Sequence, residues 1–119
     1  MPATHDPQLL KGVLTLLLLR LLAERESYGY EVVQRLRDVG LTGISEGTVY
    51  PALSRLEREG RISGRLVAST SGPARKYYQP TPAGREALAS GTASWRSLAE
   101  LVDAVLANPT PSTPTEGTS

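Results

Sequence analysis

A leucine-rich segment near the start of the chain constrains the fold more than any other feature. Asp6 followed by Pro7 is typical of a helix start, and the leucines behind it predict a helix from about Pro7 to Arg25. Because large apolar side chains cover most of its circumference, we expect this helix to be buried on two sides. The longest apolar stretch, Val13–Ala23, is too short for a membrane span and contains Arg20, so we interpret it as a core helix.

Length and composition narrow the class of protein. The chain has 119 residues, enough for one domain with one modest core that a partner subunit would help to stabilise. The absence of cysteine excludes disulfides and thiolate metal sites, and it favours a reducing, cytoplasmic setting. The single histidine, His5, has no second histidine as a partner, so we expect no metal site, no cofactor and no catalytic residues.

Charge is distributed unevenly along the chain, although the formal net charge is only +1. The segment from Thr48 to Arg85 carries +5, and the rest of the chain carries −4. Such a separation is typical of a polyanion-binding segment joined to a solvated or self-associating one. The small total therefore conceals a basic module.

The second predicted helix runs from Tyr28 to about Val39. Ser27 is a candidate cap for its start, its apolar positions follow helical spacing, and Gly40 is placed to stop it. The following segment, Leu41–Ile44, leaves room for a short strand or a turn.

The third predicted helix begins near Ser45, a candidate cap, and ends at Gly60. Proline is tolerated only near a helix start, so Pro51 places the expected first turn nearer Thr48. The apolar residues form a narrow stripe at helical spacing, which consists of Val49, Leu53 and Leu56.

A basic hairpin is expected next. Ile62–Ala68 and Lys76–Gln79 are short segments rich in strand-forming residues, and the Ser69–Pro73 segment between them is turn-forming. Two cations that follow this flexible tip, Arg75 and Lys76, can reach a phosphate backbone at little structural cost.

The last predicted helix begins at Thr81 and Pro82 and runs to about Ala107. Its large apolar residues recur at heptad spacing, which predicts a helix-helix seam, and the first helix is the obvious partner for it. The predicted interface consists of Leu14, Leu18, Leu88, Trp95, Leu98, Val102 and Val105. The remaining Asn108–Ser119 has nothing apolar to bury, and we expect a disordered tail.

The order helix, helix, connector, helix, hairpin is that of a winged helix-turn-helix, in which the third helix enters the major groove of DNA. The expected fold is mainly α (α+β), with a two-stranded wing and a long C-terminal dimerisation helix. The expected domains are a flexible N-terminus (1–6), a winged helix-turn-helix DNA-binding domain (7–80), the dimerisation helix (81–107) and a disordered tail (108–119).

The chain also resembles the PadR family of bacterial transcriptional regulators, from about Leu9 to Leu88. Beyond Leu88 it resembles the subgroup with a single C-terminal dimerisation helix. The resemblance is carried by Leu10–Gly12, Tyr28–Glu31, Glu46–Gly60, Ser71–Tyr78 and Thr81–Gly84.

Candidate DNA contacts follow from the charge pattern, the helix start near Ser45 and this resemblance. Arg55 can reach a guanine or a phosphate, and the resemblance implies that Tyr28 contacts the DNA backbone. A solvated charged face is the alternative for the charge run in the third helix. The predicted contacts are Lys11, Tyr28, Ser45, Gly47, Thr48, Tyr50, Ser54, Arg55, Arg58, Ser71, Gly72, Arg75 and Lys76.

The function expected from these observations is sequence-specific binding of double-stranded DNA, not catalysis. The protein is interpreted as a ligand-responsive repressor that acts as a homodimer on a pseudo-palindromic operator. One alternative is a winged-helix module for protein–protein association. The other is an aromatic small-molecule binding protein built around Trp95, for which the resemblance implies an apolar cavity at the subunit interface. A large aromatic residue at helical spacing is more often a packing anchor, which is the role we assign to Trp95 first.

Overall fold

The computed structural model describes residues 6–108 and confirms the predicted winged-helix architecture, with helices and a small antiparallel sheet. None of the helices in this described range is long and apolar enough to cross a membrane. The elements in chain order are α1 (Pro7–Glu24), β1 (Ser27–Tyr28), α2 (Gly29–Asp38), α3 (Glu46–Arg58), β2 (Ile62–Ser69), β3 (Gly72–Pro80) and α4 (Pro82–Ala107). The predictions for the first five residues and for 109–119 lie outside the described residues.

The leucine-rich segment forms α1, and its start is capped as the sequence predicts. The Asp6 side chain accepts a hydrogen bond of 2.8 Å from the backbone N–H of Gln8, and Pro7 occupies the first turn. Leu14 and Leu18, which we assigned to the subunit interface, are only 4% and 0% exposed. Their side chains are already covered by the core of their own chain, so the interface assignment of these two residues is corrected.

The start of α2 differs from the sequence prediction. Ser27 does not cap the helix, because it lies in the two-residue strand β1 and is fully buried. Its hydroxyl donates to the carbonyl of Arg25 and accepts from the guanidinium of Arg35. Both hydroxyl functions are therefore satisfied inside the fold, which leaves Tyr28 as the cap residue without a side-chain bond.

Glycines end both α2 and α3 as predicted, by adopting a backbone conformation that other residues disfavour. Gly40 has φ +126° and Gly60 has φ +76°. In the first case the N–H of Leu41 donates to the carbonyl of Leu36 at 3.0 Å, closing the last turn of α2. The connector that follows contains turns rather than a strand.

The sheet has the order β1-β3-β2, and all its pairs are antiparallel. In the register, Ser27 lies opposite Tyr78, and Ile62 lies opposite Pro80. The hairpin loop is shorter than predicted, because β3 begins at Gly72 and pairs back to the end of β2. Pairing with β1 anchors the wing to the helical part of the fold.

The core lies where α1, α2, α3 and the start of β2 meet. The predicted stripe of α3 is buried in it, as are most leucines in the second half of α1. Burying each large aliphatic side chain contributes about 1.5–3 kcal/mol relative to exposure. This packing fixes which face of α3 remains at the surface.

The chain divides into two compact units, the first ending at Ala89 and the second beginning at Ser90. The first unit thus extends into α4, beyond the boundary predicted at residue 80. The reason lies in the helix start, where Thr81 Oγ1 accepts from the N–H of Gly84 and donates to the carbonyl of Gly60. A Cβ on Gly84 would overlap the carbonyl oxygen of Arg61, so this close approach requires glycine.

Candidate nucleic-acid interface

The exposed face of α3 is the centre of the candidate interface. Because Val49, Leu53 and Leu56 face the core, the helix presents Thr48, Ser54 and the two arginines at positions 55 and 58 to solvent. These side chains combine hydroxyl groups with cations. That combination suits hydrogen bonds to base edges and to phosphates.

The N-terminal turn of α3 is polar and exposed, but it is not purely attractive to phosphate. Ser45 is the cap residue, and its hydroxyl lies 3.3 Å from the hydroxyl of Thr48 rather than bonding to a backbone N–H. Glu46 places a carboxylate in the same turn. A phosphate at this position would gain from the helix dipole and Gly47's open backbone, and lose from the charge of Glu46.

Pro51 lies inside α3, although a proline near a helix start predicted a first turn nearer Thr48. The helix nevertheless begins at Glu46, as the cap at Ser45 predicts. Proline has no N–H to donate to the carbonyl of Gly47, so one helical hydrogen bond is missing on the exposed side.

The two arginines of α3 differ in their neighbours. Arg55 Nε lies 3.7 Å from Glu59 Oε2, an ion pair between exposed groups one helical turn apart. Within the described part of the chain, Arg58 forms no ion pair. Both guanidinium groups remain available to a polyanion, because a pair of this kind is weak.

The two cations of the wing are held against the body of the fold. Lys76 Nζ lies 2.9 Å from Glu57 Oε1, and this carboxylate raises the pKa of Lys76. The guanidinium of Arg75 lies 4.6 Å from the centre of the Tyr28 ring, a cation–π contact. The turn-forming sequence predicts a flexible presentation of both cations, whereas the structure orients them beside α3. Ser71 is exposed at the loop of the hairpin, and Gly72 begins the returning strand.

Tyrosines line a cleft of about 370 Å³ between α3 and the wing. The cleft is bordered by Tyr28, Tyr30, Tyr50 and Tyr78, with Arg75 and Lys76 at its edge. A Cβ on Gly29 would lie 2.8 Å from the Tyr50 ring. The absence of a side chain at Gly29, between Tyr28 and Tyr30, therefore leaves space for the Tyr50 ring. Burial, and then the nearby carboxylate of Glu46, raise the pKa of Tyr50. A tyrosine hydroxyl at this position can donate a hydrogen bond to a phosphate.

A wider groove of about 820 Å³ lies on the other side of α3, between that helix and α1. Lys11, Arg55 and Arg58 contribute to its lining. Two sets of predicted contacts are thus brought together, one on each side of α3. Ser71 and Gly72 line neither cleft.

Sequence reasoning missed some residues that shape this interface. Tyr30 borders the tyrosine cleft and accepts a hydrogen bond from Gln34. Glu57 accepts a hydrogen bond from Lys76 of the wing, a contact that the charge pattern of α3 does not predict. The ion pair of Arg55 with Glu59 can be predicted from their spacing of four residues along a helix. The pair of Glu57 with Lys76 joins α3 to β3, and no local sequence pattern predicts it.

The second unit is described by itself and offers an apolar helix surface. In α4, Trp95 is 48% exposed and Val105 is 62% exposed, and Leu98 and Val102 are exposed as well. Leu101 and Leu106 are also exposed, although the interface predicted from the heptad spacing does not include them. Leu88 differs from these residues, because it lies in the first unit and is half-buried against the core there.

The helix-turn-helix, the basic exposed face of α3 and the hairpin beside it together define a winged-helix DNA-binding protein. The profile of the transcriptional regulator PadR-like family matches residues 18–90, and the chain belongs to this family. It is thus a DNA-binding transcriptional regulator of a family whose members are not enzymes.

Relatives and solved structures agree with this assignment. The chain is 42% identical over 85 residues to the transcriptional regulator Rv3488 of Mycobacterium tuberculosis, covering 71% of this chain and 74% of that protein. It is 41% identical to a PadR-like transcriptional regulator of Bacillus cereus, with a TM-score of 0.76 and coverage of 86% and 99%. A PadR family transcriptional regulator of Eggerthella lenta is 34% identical, with a TM-score of 0.79 and coverage of 86% and 88%.

Proposed function

We propose that the protein is a cytoplasmic repressor that binds a pseudo-palindromic operator as a homodimer and responds to a small effector. The observation that carries the proposal is the exposed face of α3, which presents Thr48, Ser54, Arg55 and Arg58 and is flanked by a cation on each side. This face provides base contacts and phosphate contacts within one helix.

In this proposal α3 enters the major groove of each half-site. Arg55 reads a guanine edge or holds a phosphate, and Ser45, Gly47, Thr48 and Ser54 contact the backbone or base edges nearby. The further contacts to flanking phosphates come from Lys11, Tyr28, Tyr50, Arg58, Ser71, Gly72, Arg75 and Lys76. This part is supported by the cleft beside α3, which Arg75 and Lys76 line together with Tyr50 and Ser54.

The homodimer is proposed from the apolar stripe of α4. Trp95, Leu98, Val102 and Val105 are exposed within one chain, and contiguous exposed apolar surface of this kind marks an interaction site. A two-fold dimer would pair the stripe with its own copy, as most homodimers do. Half-buried Leu88 would contribute only its remaining surface.

A homodimer of this kind constrains the spacing of the two operator half-sites. Two recognition helices related by a two-fold axis read half-sites about 34–36 Å apart, or a multiple of that distance. An effector held at the dimer seam, in contact with Trp95, would regulate binding only if it favoured one spacing of the two α3 helices.

A selection of bound duplexes from a random pool tests this function. We expect the enriched sequences to contain an inverted repeat, and light scattering to give two chains per duplex. Enriched sequences without a repeat, or one chain per duplex, would contradict the dimeric proposal. Enrichment of no sequence would instead favour a module for protein–protein association.

A further inference from the structure

The groove between α1 and α3 combines an apolar floor with a cationic rim. Its volume of about 820 Å³ falls within the usual range of small-molecule sites. The floor includes Leu10, Leu14, Ile44 and Ala52. A phosphate backbone has no apolar surface to match this floor, so phosphate contact at the cationic side chains leaves the floor unfilled.

The charged side chains that line the groove are all cationic among the described residues. Lys11 lies on the α1 side, and Arg55 and Arg58 lie on the α3 side. The described lining residues include no aspartate or glutamate. Within the same range neither Lys11 nor Arg58 forms an ion pair, so two of the three charges are not neutralised by the protein.

From this arrangement we propose that the groove between α1 and α3 binds a small amphipathic carboxylate, which competes directly with DNA. The apolar body of the ligand lies on the floor, and its carboxylate accepts hydrogen bonds from Lys11 and the α3 arginines. The competition rests on the proposed function, because Lys11, Arg55 and Arg58 are proposed DNA contacts. The described lining residues include none from α4.

Calorimetric titration of the full chain, without DNA, tests the site with two probes of similar shape. These are 1-naphthoate, an anion at neutral pH, and the neutral 1-naphthylmethanol. We expect naphthoate to bind about tenfold more tightly or better, as a charge-assisted hydrogen bond implies. Equal affinity for the two probes would overturn the proposal.

Variants locate the bound probe. Thr15 is a half-buried lining residue of α1 outside the proposed DNA contacts, and Thr15→Phe should weaken naphthoate binding about tenfold or more by filling the groove. Gln8→Phe adds the same ring at an exposed position of α1 outside the lining and should leave binding unchanged. Exposed Lys11 can be changed without affecting the core, and Lys11→Gln should weaken naphthoate binding several-fold but not that of the alcohol. Unchanged affinity in both Thr15→Phe and Lys11→Gln, or loss of binding in Trp95→Phe, would overturn the site.

A competition experiment separates this proposal from the proposed function. Naphthoate should release the duplex selected above from the wild-type chain, and it should release less from Thr15→Phe at the same concentration. Binding of naphthoate in the groove without release of DNA would overturn the competition. A further outcome is that the chain binds naphthoate with the expected preference and variant effects and yet binds no duplex. That result would support the ligand site but contradict both the proposed function and the competition with DNA.

Discussion

The two amphipathic helices α3 and α4 carry similar apolar stripes but use them differently. In α3 the stripe of Val49, Leu53 and Leu56 is buried by the chain's own core. In the second unit the stripe of α4, represented by Trp95 and Val102, is exposed. The same spacing of apolar residues therefore produces a core contact in one helix and a surface in the other.

The two helices therefore leave different surfaces available for binding. The apolar face of α3 is buried in the core, and this packing keeps the arginines and hydroxyl groups of the opposite face exposed to solvent. The polar face of α4 has no such cluster of cations, and its apolar face is the part that remains available. This comparison supports the proposal that α3 recognises DNA and that α4 mediates association.

A substitution in the buried stripe of α3 should change stability more than any other change considered below. Leu53→Ala removes a buried side chain and should lower the free energy of unfolding by about 2–5 kcal/mol, measured by urea denaturation. Ser54→Ala is the matched control on the exposed face and should change stability little. A loss below about 1 kcal/mol in Leu53→Ala would mean that α3 is not held by its stripe.

The next effect concerns the exposed stripe of α4. Val102→Glu places a charge in the proposed seam and should convert dimers to monomers in analytical ultracentrifugation at micromolar concentration, because an unpaired charge would have to be desolvated. Ala104→Glu adds the same charge on another face of the helix and should leave the dimer intact. Equal behaviour of the two variants would place the dimer contact elsewhere.

A smaller effect is expected on the polar face of α3. Arg55→Gln should weaken operator binding about tenfold, the effect of one good base or phosphate contact, and leave the dimer unchanged. Arg20 is an exposed arginine of α1 paired with Glu24, and Arg20→Gln should bind the operator normally. Fluorescence anisotropy measures both affinities, and normal binding by Arg55→Gln would show that the recognition face is misplaced.

The smallest effect concerns the pH dependence of the first unit. Arg65 donates two hydrogen bonds of 2.7 Å to Glu26, and these lower the pKa of the Glu26 carboxyl. A carboxyl with a lowered folded-state pKa stabilises the fold above its unfolded value of about 4.3, and the contribution is lost as the pH falls through the folded value. Thermal unfolding between pH 7 and pH 3 should therefore show a steeper loss of stability in the wild type than in Glu26→Gln.

Much of the fold could be predicted from local sequence signals. Asp6 with Pro7 marks the start of α1, and Thr81 with Pro82 marks the start of α4. The positive-φ glycines at the ends of α2 and α3 are also local signals. Such features depend on neighbouring residues, so the sequence contains them directly.

The missed features depend on contacts between distant residues. The strand β1 exists because Ser27 pairs with Tyr78, and no two-residue pattern predicts that partner. Leu14 resembles an interface leucine in sequence but is buried by α3 and the core. The same reason explains the candidate site, where the charges of the wing were predicted but the contact of Lys76 with Glu57 was not.

An anisotropy titration of the selected duplex and a shuffled duplex of equal length, at two salt concentrations, tests whether α3 is a recognition helix. If α3 reads sequence and the cations hold phosphates, the selected duplex should bind about a thousandfold more tightly or better, and binding should weaken steeply with salt. Equal and weak binding of both duplexes would contradict the assignment of α3 as a recognition helix.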